Sequence, residues 1–260
     1  MKVMRIIQLS DIHLVSSREA LIKGRNPLHH LKCALNEAVN YNPDLILITG
    51  DICEDESRSG YKHLKEELSS LSNSITIALL PGNHDNPIIM NEVLAPYATI
   101  APAEILLKGI RLIILSSHID GRIEGVIEQS QIKWLNERLK DQTHKGSPLF
   151  IALHHPPLKI GDPFLDSVSL SNGDELLIFL KDIDELKAIL FGHIHQYWIS
   201  KISNKNKSYL LGCPSTLCSH KSRYTSLKPV ENENDIGGLL IEIDNKGIFT
   251  HKLIRWQVKV

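Results

Sequence analysis

Charge of one sign, disulfide patterning and long apolar runs are all missing from this chain. Its 29 lysines and arginines stand against 30 aspartates and glutamates, a formal net charge of −1 over 260 residues. No global basic field therefore favours nucleic acid or an anionic membrane. The four cysteines, Cys33, Cys53, Cys213 and Cys218, form no C-x-x-C pair, which makes a reducing cytoplasm the expected location. No apolar run approaches the roughly 20 residues a bilayer span requires. The opening stretch MKVMRIIQLSDIH carries basic residues and a short apolar run, but a strand ending in Asp11 and His13 accounts for it better than a signal peptide. What remains is the composition of a soluble globular protein, 42 % hydrophobic and 23 % charged, long enough for one domain over 1–260. Histidine is the surplus, with 13 in the chain.

The apolar residues fall into two periods. RIIQLS (5–10), LILIT (45–49) and ITIALL (75–80) are short runs bounded by turn formers, as buried strands are. Between them PLHHLKCALNEAVNY (27–41) and SGYKHLKEELSSL (59–71) have apolar residues at helical spacing. This β-α-β-α-β order predicts an α/β fold with a largely parallel sheet. Further strands are expected at 110–117, 148–153, 186–191, 197–202 and 208–212, and helices at 128–142 and 173–183. GGLLIEIDNKGIFTHKLIRW (237–256) reads as a hairpin turning at Asn245-Lys246-Gly247, and its apolar strands make it a candidate homodimer surface. Residues 219–236 are polar and without period, an expected exposed excursion.

Five of these strands end alike. They release Asp11 and His13, then Asp51, then Asn83, His84 and Asp85, then His154 and His155, and finally His193 and His195. In open α/β sheets the site lies beyond the carboxyl ends of the strands, so these side chains can converge there. A lone histidine or Gly-Asp is usually a surface or turn residue; five such ends in one chain point to a shared site. Nitrogen and oxygen donors without thiolate suit Mn, Fe, Zn or Co. The donors outnumber the needs of one ion, so two metal ions are expected, with Asp51 able to bridge them.

Taken in order, DIH, GD, GNHD, HHPP and GHIH resemble the calcineurin-like metallophosphoesterase superfamily across residues 11–195. EGVIEQSQIKWL (124–135), HHPPLKIGDPFLDSVSLSNGDEL (154–176) and GCPSTLCSH (212–220) are similar to the narrower class III cyclic-nucleotide phosphodiesterases, where such stretches build the substrate side. The resemblance implies a four-layer α-β-β-α sandwich of two mixed sheets flanked by helices. It implies one metal held by Asp11, His13, His195 and a shared Asp51, and a second held by Asp51, Asn83, His154 and His193. His84 would face the phosphate, either donating a proton to the leaving oxygen or stabilising the transition-state charge. Asp85 would orient the His84 imidazole. His155 is expected to pack or support.

The reaction so implied is metal-dependent, in-line hydrolysis of a small phosphodiester, with 3′,5′-cyclic AMP going to the 5′-monophosphate as the leading case. Glycerophosphodiesters or 2′,3′-cyclic nucleotides are the alternative substrates, and an inactive binding scaffold is the reading from another class. The filled ligand positions argue against the scaffold, and the lack of a basic stripe argues against a nuclease. A protein phosphatase would need a docking surface that the sequence does not announce. Among the other residues, His118 could reach the same face, and His29 and His30 stand near the expected mouth of the site. Asn172 and residues 214–216 match positions near substrate, Trp134 reads as core, and Cys53 reads as buried packing.

Overall fold

The computed structural model describes residues 3–202, 204, 207–219, 236–244 and 246–258. The first sheet is built from β1 (Met4–Leu9), β2 (Leu45–Thr49), β3 (Thr76–Leu80) and the short β4 (Thr99–Ile100), all parallel, with α1 (Pro27–Asn40), α2 (Arg58–Ser69) and α3 (Pro87–Leu94) in the connections. The chain then crosses to a second sheet of β5 (Ala103–Leu107), β6 (Ile110–Ile114), β7 (Leu149–Ala152), β8 (Leu186–Phe191), β9 (Trp198–Lys201) and β10 (Tyr209–Gly212). Within it α4 (Gln129–Lys140), α5 (Pro163–Ser167) and α6 (Gly173–Leu180) form the crossovers. The C-terminal hairpin, β11 (Gly238–Ile243) and β12 (Phe249–Ile254), returns to the first sheet, where β11 lies antiparallel to β1. The strand orders are β12-β11-β1-β2-β3-β4 and β5-β6-β7-β8-β10-β9.

Side-chain alternation along each strand builds four layers. Ile6, Leu45, Leu47, Ala78 and Leu80 pack between the sheets against Leu112, Ile114, Phe150, Ala152 and Leu190. Their neighbours Ile7, Ile46, Ile48 and Leu79 face the other way, onto Leu31 and Leu35 of α1, Tyr61 and Leu64 of α2, and Met90 of α3. The outer face of the second sheet is covered by Leu135, Leu165, Leu176 and Leu180. This is the α-β-β-α sandwich of two mixed sheets, and it explains why the strand sequences are apolar at nearly every position: both faces are buried.

The expected helices and strands are present with shifted ends. The 110–117 run leaves the sheet after Ile114, where the Gln131 side chain of α4 takes both the Ser116 amide (2.9 Å) and the Ser116 carbonyl (2.8 Å). Four of these elements went unforeseen: α3, β4, β5 and α5. For α3 the signal was present, since Asn86 caps the helix by accepting from the Ile89 amide and Pro87 takes the first turn. Most of the polar 219–236 segment, and Asn245 of the hairpin turn, lie outside the described residues. Among the described residues no helix is long and apolar enough to cross a membrane.

Candidate active site

Strand ends from both sheets meet at one edge of the sandwich. The Asp11 amide donates to the Gly50 carbonyl (3.0 Å) and the His13 amide to the Asp51 carbonyl (2.9 Å), which ties the β1 and β2 ends together. Across the sheets, the His193 amide donates to both Asp11 carboxylate oxygens (3.1 and 3.2 Å). His154 Nδ1 lies 2.7 Å from the Thr49 carbonyl. That carbonyl can only accept, so Nδ1 carries a hydrogen and Nε2 is the nitrogen left to face the site. Asp11, His13, Asp51, His193 and His195 all have positive φ, between 50° and 68°. This conformation is costly for residues with a Cβ, and such strain is concentrated at functional sites.

The side chains form two abutting groups. In one, Asp11, His13, Asp51 and His195 bring one donor atom each within 4.8 Å of the others. His195 Nε2 lies 3.3 Å from Asp11 Oδ1 and 3.2 Å from His13 Nε2. In the other, Asn83 Oδ1 lies 3.0 Å from His193 Nδ1 and 3.3 Å from His154 Nε2. Asp51 joins them, its Oδ1 3.4 Å from His154 Nε2. The seven sequence-derived metal candidates are therefore all brought together.

The electrostatics ask for positive charge in both groups. Burial alone would lower both histidines, but the Asp51 charge lifts His154 to about 9 and the Asp11 charge lifts His195 to about 10. Burial would likewise raise the carboxyls, yet His195 holds Asp11 at about 2, and His154 holds Asp51 well below its usual range. Burial and the neighbouring His154 charge push His193 down to about 3, so it stays neutral. His154 Nε2 faces two acceptors, Asn83 Oδ1 and Asp51 Oδ1, and meets them as a donor only while its ring is protonated. Converging acceptors of this kind fit a cation, and the donor set fits a borderline transition metal.

Asp85 does not do what its place beside His84 suggested. Its wholly buried carboxylate accepts from the backbone amides of Ile52 (3.1 Å), Cys53 (2.9 Å) and Gly82 (2.9 Å), and from the Tyr61 hydroxyl (3.1 Å). Consecutive side chains leave this tight turn in different directions, so Asp85 is turned inward, where it clamps the two ligand-bearing loops together. His84 instead has its Nδ1 3.3 Å from Glu54 Oε2. The same oxygen lies 2.6 Å from His13 Nδ1. Glu54 is the residue the sequence reading missed. Its only signal was a carboxylate three residues beyond Asp51 in GDICED.

His155 is also committed elsewhere. Its Nδ1 meets Ser117 Oγ at 2.8 Å and its Nε2 meets the Ile123 carbonyl at 2.8 Å, while its ring packs against those of His154 and His193. His118 does reach this end of the fold, with Nδ1 2.9 Å from the Gly82 carbonyl. His30 donates to the Thr216 carbonyl (3.1 Å), and Ser215 Oγ donates to the Asp11 carbonyl (2.7 Å). Asn172 exchanges both amide bonds with the Ile127 backbone. These side chains brace the site and do not line it.

A family model described as calcineurin-like phosphoesterase matches residues 4–197, which hold every one of these converging side chains. The chain belongs to the calcineurin-like phosphoesterase family. A relative in Synechococcus sp. (strain WH7803), named a probable cyclic nucleotide phosphodiesterase, is 37 % identical over 97 % of this chain and 96 % of its own. A 3′,5′-cyclic-nucleotide phosphodiesterase of Nostoc sp. (strain PCC 7120) is 30 % identical over 96 % of this chain and 91 % of its own. The 3′,5′-cyclic adenosine monophosphate phosphodiesterase CpdA of Escherichia coli (strain K12) is 33 % identical over 84 % of this chain and 78 % of its own. Among solved structures, a dimetal phosphatase from Danio rerio superposes with a TM-score of 0.65 at 12 % identity, covering 98 % of this chain and 99 % of that one. A yellow lupin purple acid phosphatase gives the same TM-score at 14 % identity; the match covers 93 % of this chain but only 49 % of the lupin chain. At these identities the superpositions show the fold alone.

In this phosphoesterase the metal-capable groups floor a cavity of about 240 Å³. His13, Asp51, Asn83, His84, His193 and His195 form its base with Glu54, and Lys23 and Cys218 stand at one side. Ile22, Ile123, Phe164, Leu165 and Val168 make an apolar wall. Ile123 and Phe164 leave more than half their surface exposed at the mouth, at 55 % and 59 %.

Proposed function

We propose that this chain is a dinuclear metal-dependent phosphodiesterase that hydrolyses 3′,5′-cyclic nucleotides, cyclic AMP foremost, to the 5′-monophosphate. One observation carries the proposal: Asp51 stands between two groups of buried donors, at the floor of a cavity with an apolar wall. The names of the three relatives, all cyclic-nucleotide phosphodiesterases, support the substrate. Asp11, His13, Asp51 and His195 would hold one ion; Asp51, Asn83, His154 and His193 would hold the other. Bound there, two ions supply Lewis acidity toward the phosphoryl oxygens and lower the pKa of a water nucleophile. Mn, Fe, Zn and Co all suit these donors.

The chain's own residues do the rest. Asn83 contributes a neutral oxygen, which limits negative charge where the phosphate must settle. His84, the most exposed of the cavity imidazoles at 40 % of its side-chain surface, presents Nε2 to the ester and either protonates the leaving alkoxide or stabilises the developing charge. Ile123 and Phe164 offer the base an apolar surface beside the charged floor. The whole of 1–260 acts as one domain in the cytoplasm, with no nucleic-acid partner, and the C-terminal hairpin is the surface on which two copies would pair.

The test is a hydrolysis panel on protein stripped and reloaded with each metal. It comprises 3′,5′-cyclic AMP, 2′,3′-cyclic AMP, glycerophosphodiesters and bis-p-nitrophenyl phosphate. Preferential turnover of 3′,5′-cyclic AMP is expected. Preference for a glycerophosphodiester or 2′,3′-cyclic AMP would keep the phosphodiesterase and reject this substrate. No turnover despite bound metal would favour a binding scaffold.

A further inference from the structure

Lys23 reaches the cavity from the tip of a two-residue turn. Ile22 and Arg25 exchange both backbone bonds, the Ile22 amide donating to the Arg25 carbonyl (2.9 Å) and the Arg25 amide to the Ile22 carbonyl (3.0 Å). Between them Lys23 and Gly24 have φ of 50° and 76°. A turn with two left-handed residues favours Asn, Asp or Gly at the first of them, so lysine has no part to play in the turn itself. Its ammonium instead comes 3.7 Å from Cys218 Sγ, at the cavity side. Lys23 is the single lysine or arginine among the described residues that line the cavity. No carboxylate pairs with it there; the thiol is its one polar contact among the described residues.

The position of that cation is informative. Cys218 Sγ lies 3.8 Å from His195 Nδ1, and the Cys218 carbonyl accepts from the same nitrogen at 2.9 Å. Lys23 therefore stands on the His195 side of the donor floor. Ile123 of the apolar wall stands on the other side: its carbonyl meets His155 Nε2 at 2.8 Å, and the His155 ring packs on His193 with centroids 4.7 Å apart. A nucleotide whose base lies along Ile123 has its phosphoryl group over the floor, between the base and Lys23.

We propose that Lys23 is a substrate-binding residue of this site, its ammonium taking a non-bridging phosphoryl oxygen on the His195 side. The inference rests on the phosphodiesterase reading for the identity of the ester, and on the cavity alone for the anion. A thiol is a weak acceptor, so the ammonium is held loosely and readily exchanges Cys218 for an anionic oxygen. Charge-assisted contacts of this kind are the stronger hydrogen bonds.

The chemistry gives this contact a direction. Hydrolysis joins a water oxygen to phosphorus and breaks the bond from phosphorus to O3′, and O3′ takes the proton. The phosphoryl group passes from a single negative charge in the diester to about −1.5 to −2 in the monoester at neutral pH. A cation beside it therefore holds the product more firmly than the substrate. Lys23 belongs to product retention as much as to substrate capture.

The experiment compares metal-loaded wild type, Lys23→Met and Lys23→Arg. Binding of inorganic phosphate and of 5′-AMP is measured by calorimetry, KM and kcat on cyclic AMP by product formation, and metal affinity by competition with a chromophoric chelator. Lys23→Met keeps the length of the side chain and removes the charge. It is expected to weaken inorganic phosphate and 5′-AMP by about tenfold, as loss of a charged hydrogen bond does. KM for cyclic AMP should rise by a smaller factor, and metal affinity should not weaken. Lys23→Arg should keep most of the anion binding.

Wild-type affinity of Lys23→Met for inorganic phosphate would overturn the proposal, whatever happens to KM, because Lys23 would then touch the ribose or the base. A fall in metal affinity that accounts for the loss of phosphate would overturn it too, and would make Lys23 a brace for the loop behind His195. If wild type turns over no diester, the phosphodiesterase reading fails by itself. The phosphate titration of wild type against Lys23→Met then still decides whether Lys23 holds the anion.

Discussion

Gly82 is packed onto Asp51 so closely that a Cβ added at the glycine would overlap Asp51 Oδ1 and the Asp51 amide nitrogen. The turn that delivers Asn83 and His84 therefore presses bare backbone against the carboxylate between the two donor groups, and the His84 amide donates to that same Oδ1 at 3.0 Å. Gly82→Ala must displace either the turn or Asp51. It is expected to cost about 1–3 kcal/mol of stability, as overpacking does, and to abolish high-affinity metal binding. Thermal unfolding with a metal titration checks both; a variant that binds metal like wild type would show that the contact is slack.

Asp85→Asn tests the clamp. The amide replaces one acceptor oxygen with a donor where three backbone N–H groups and a tyrosine hydroxyl converge. A loss of about 2 kcal/mol is expected, in line with hydrogen bonds to a charged acceptor. The remaining folded protein should treat cyclic AMP and bis-p-nitrophenyl phosphate in the wild-type ratio. A fully stable variant with a selective defect on cyclic AMP would return Asp85 to the service of His84.

Metal binding and acidity are linked in a definite direction. In the metal-free chain His154 and His195 stay protonated up to about 9 and about 10, because Asp51 and Asp11 outweigh burial. Both are raised above the ordinary 6.5, so the ion pairs they make stabilise the metal-free fold fully below that value and are lost as pH climbs through about 9 and 10. Metal must displace these protons. Loading both sites at pH 7.5 should release about two protons per chain, and affinity should weaken as pH falls, by about tenfold per unit for each proton displaced. Calorimetry in buffers of different ionisation enthalpy reads the number directly; zero released protons would contradict the assignment.

His155 lies within reach of a metal beside His154 and His193, but both its nitrogens are taken by Ser117 and the Ile123 carbonyl. His155→Ala should therefore keep the wild-type metal count per folded chain, lower the melting temperature, and raise KM as the Ile123 wall of the cavity loosens. Elemental analysis that shows one ion lost would make His155 a ligand.

The parts of this account that the sequence disclosed are those governed by burial and by strand direction. Ile46 and Leu47 face opposite layers, and both are apolar because both layers are closed. The polar residues just beyond such runs had to emerge at a sheet edge. Side-chain direction after the strand was not legible in the same way. Asp51, His193 and His195 adopt positive φ, and nothing in residue type alone announces that for histidine. Neither could adjacency show that Asp85 turns inward while Glu54, about 30 residues earlier, meets His84. That contact depends on how the β2 and β3 turns pack together, held by the Asp85 bonds to Ile52, Cys53 and Gly82.

The central claim is one two-metal site joined through Asp51. Crystals of the protein grown with manganese and measured at an anomalous wavelength test it most directly. The account predicts two anomalous peaks about 3.5–4 Å apart, with the Asp51 carboxylate between them, Asn83 on the peak shared with His154 and His193, and His84 on neither. A single peak, or two peaks that Asp51 does not join, would contradict it.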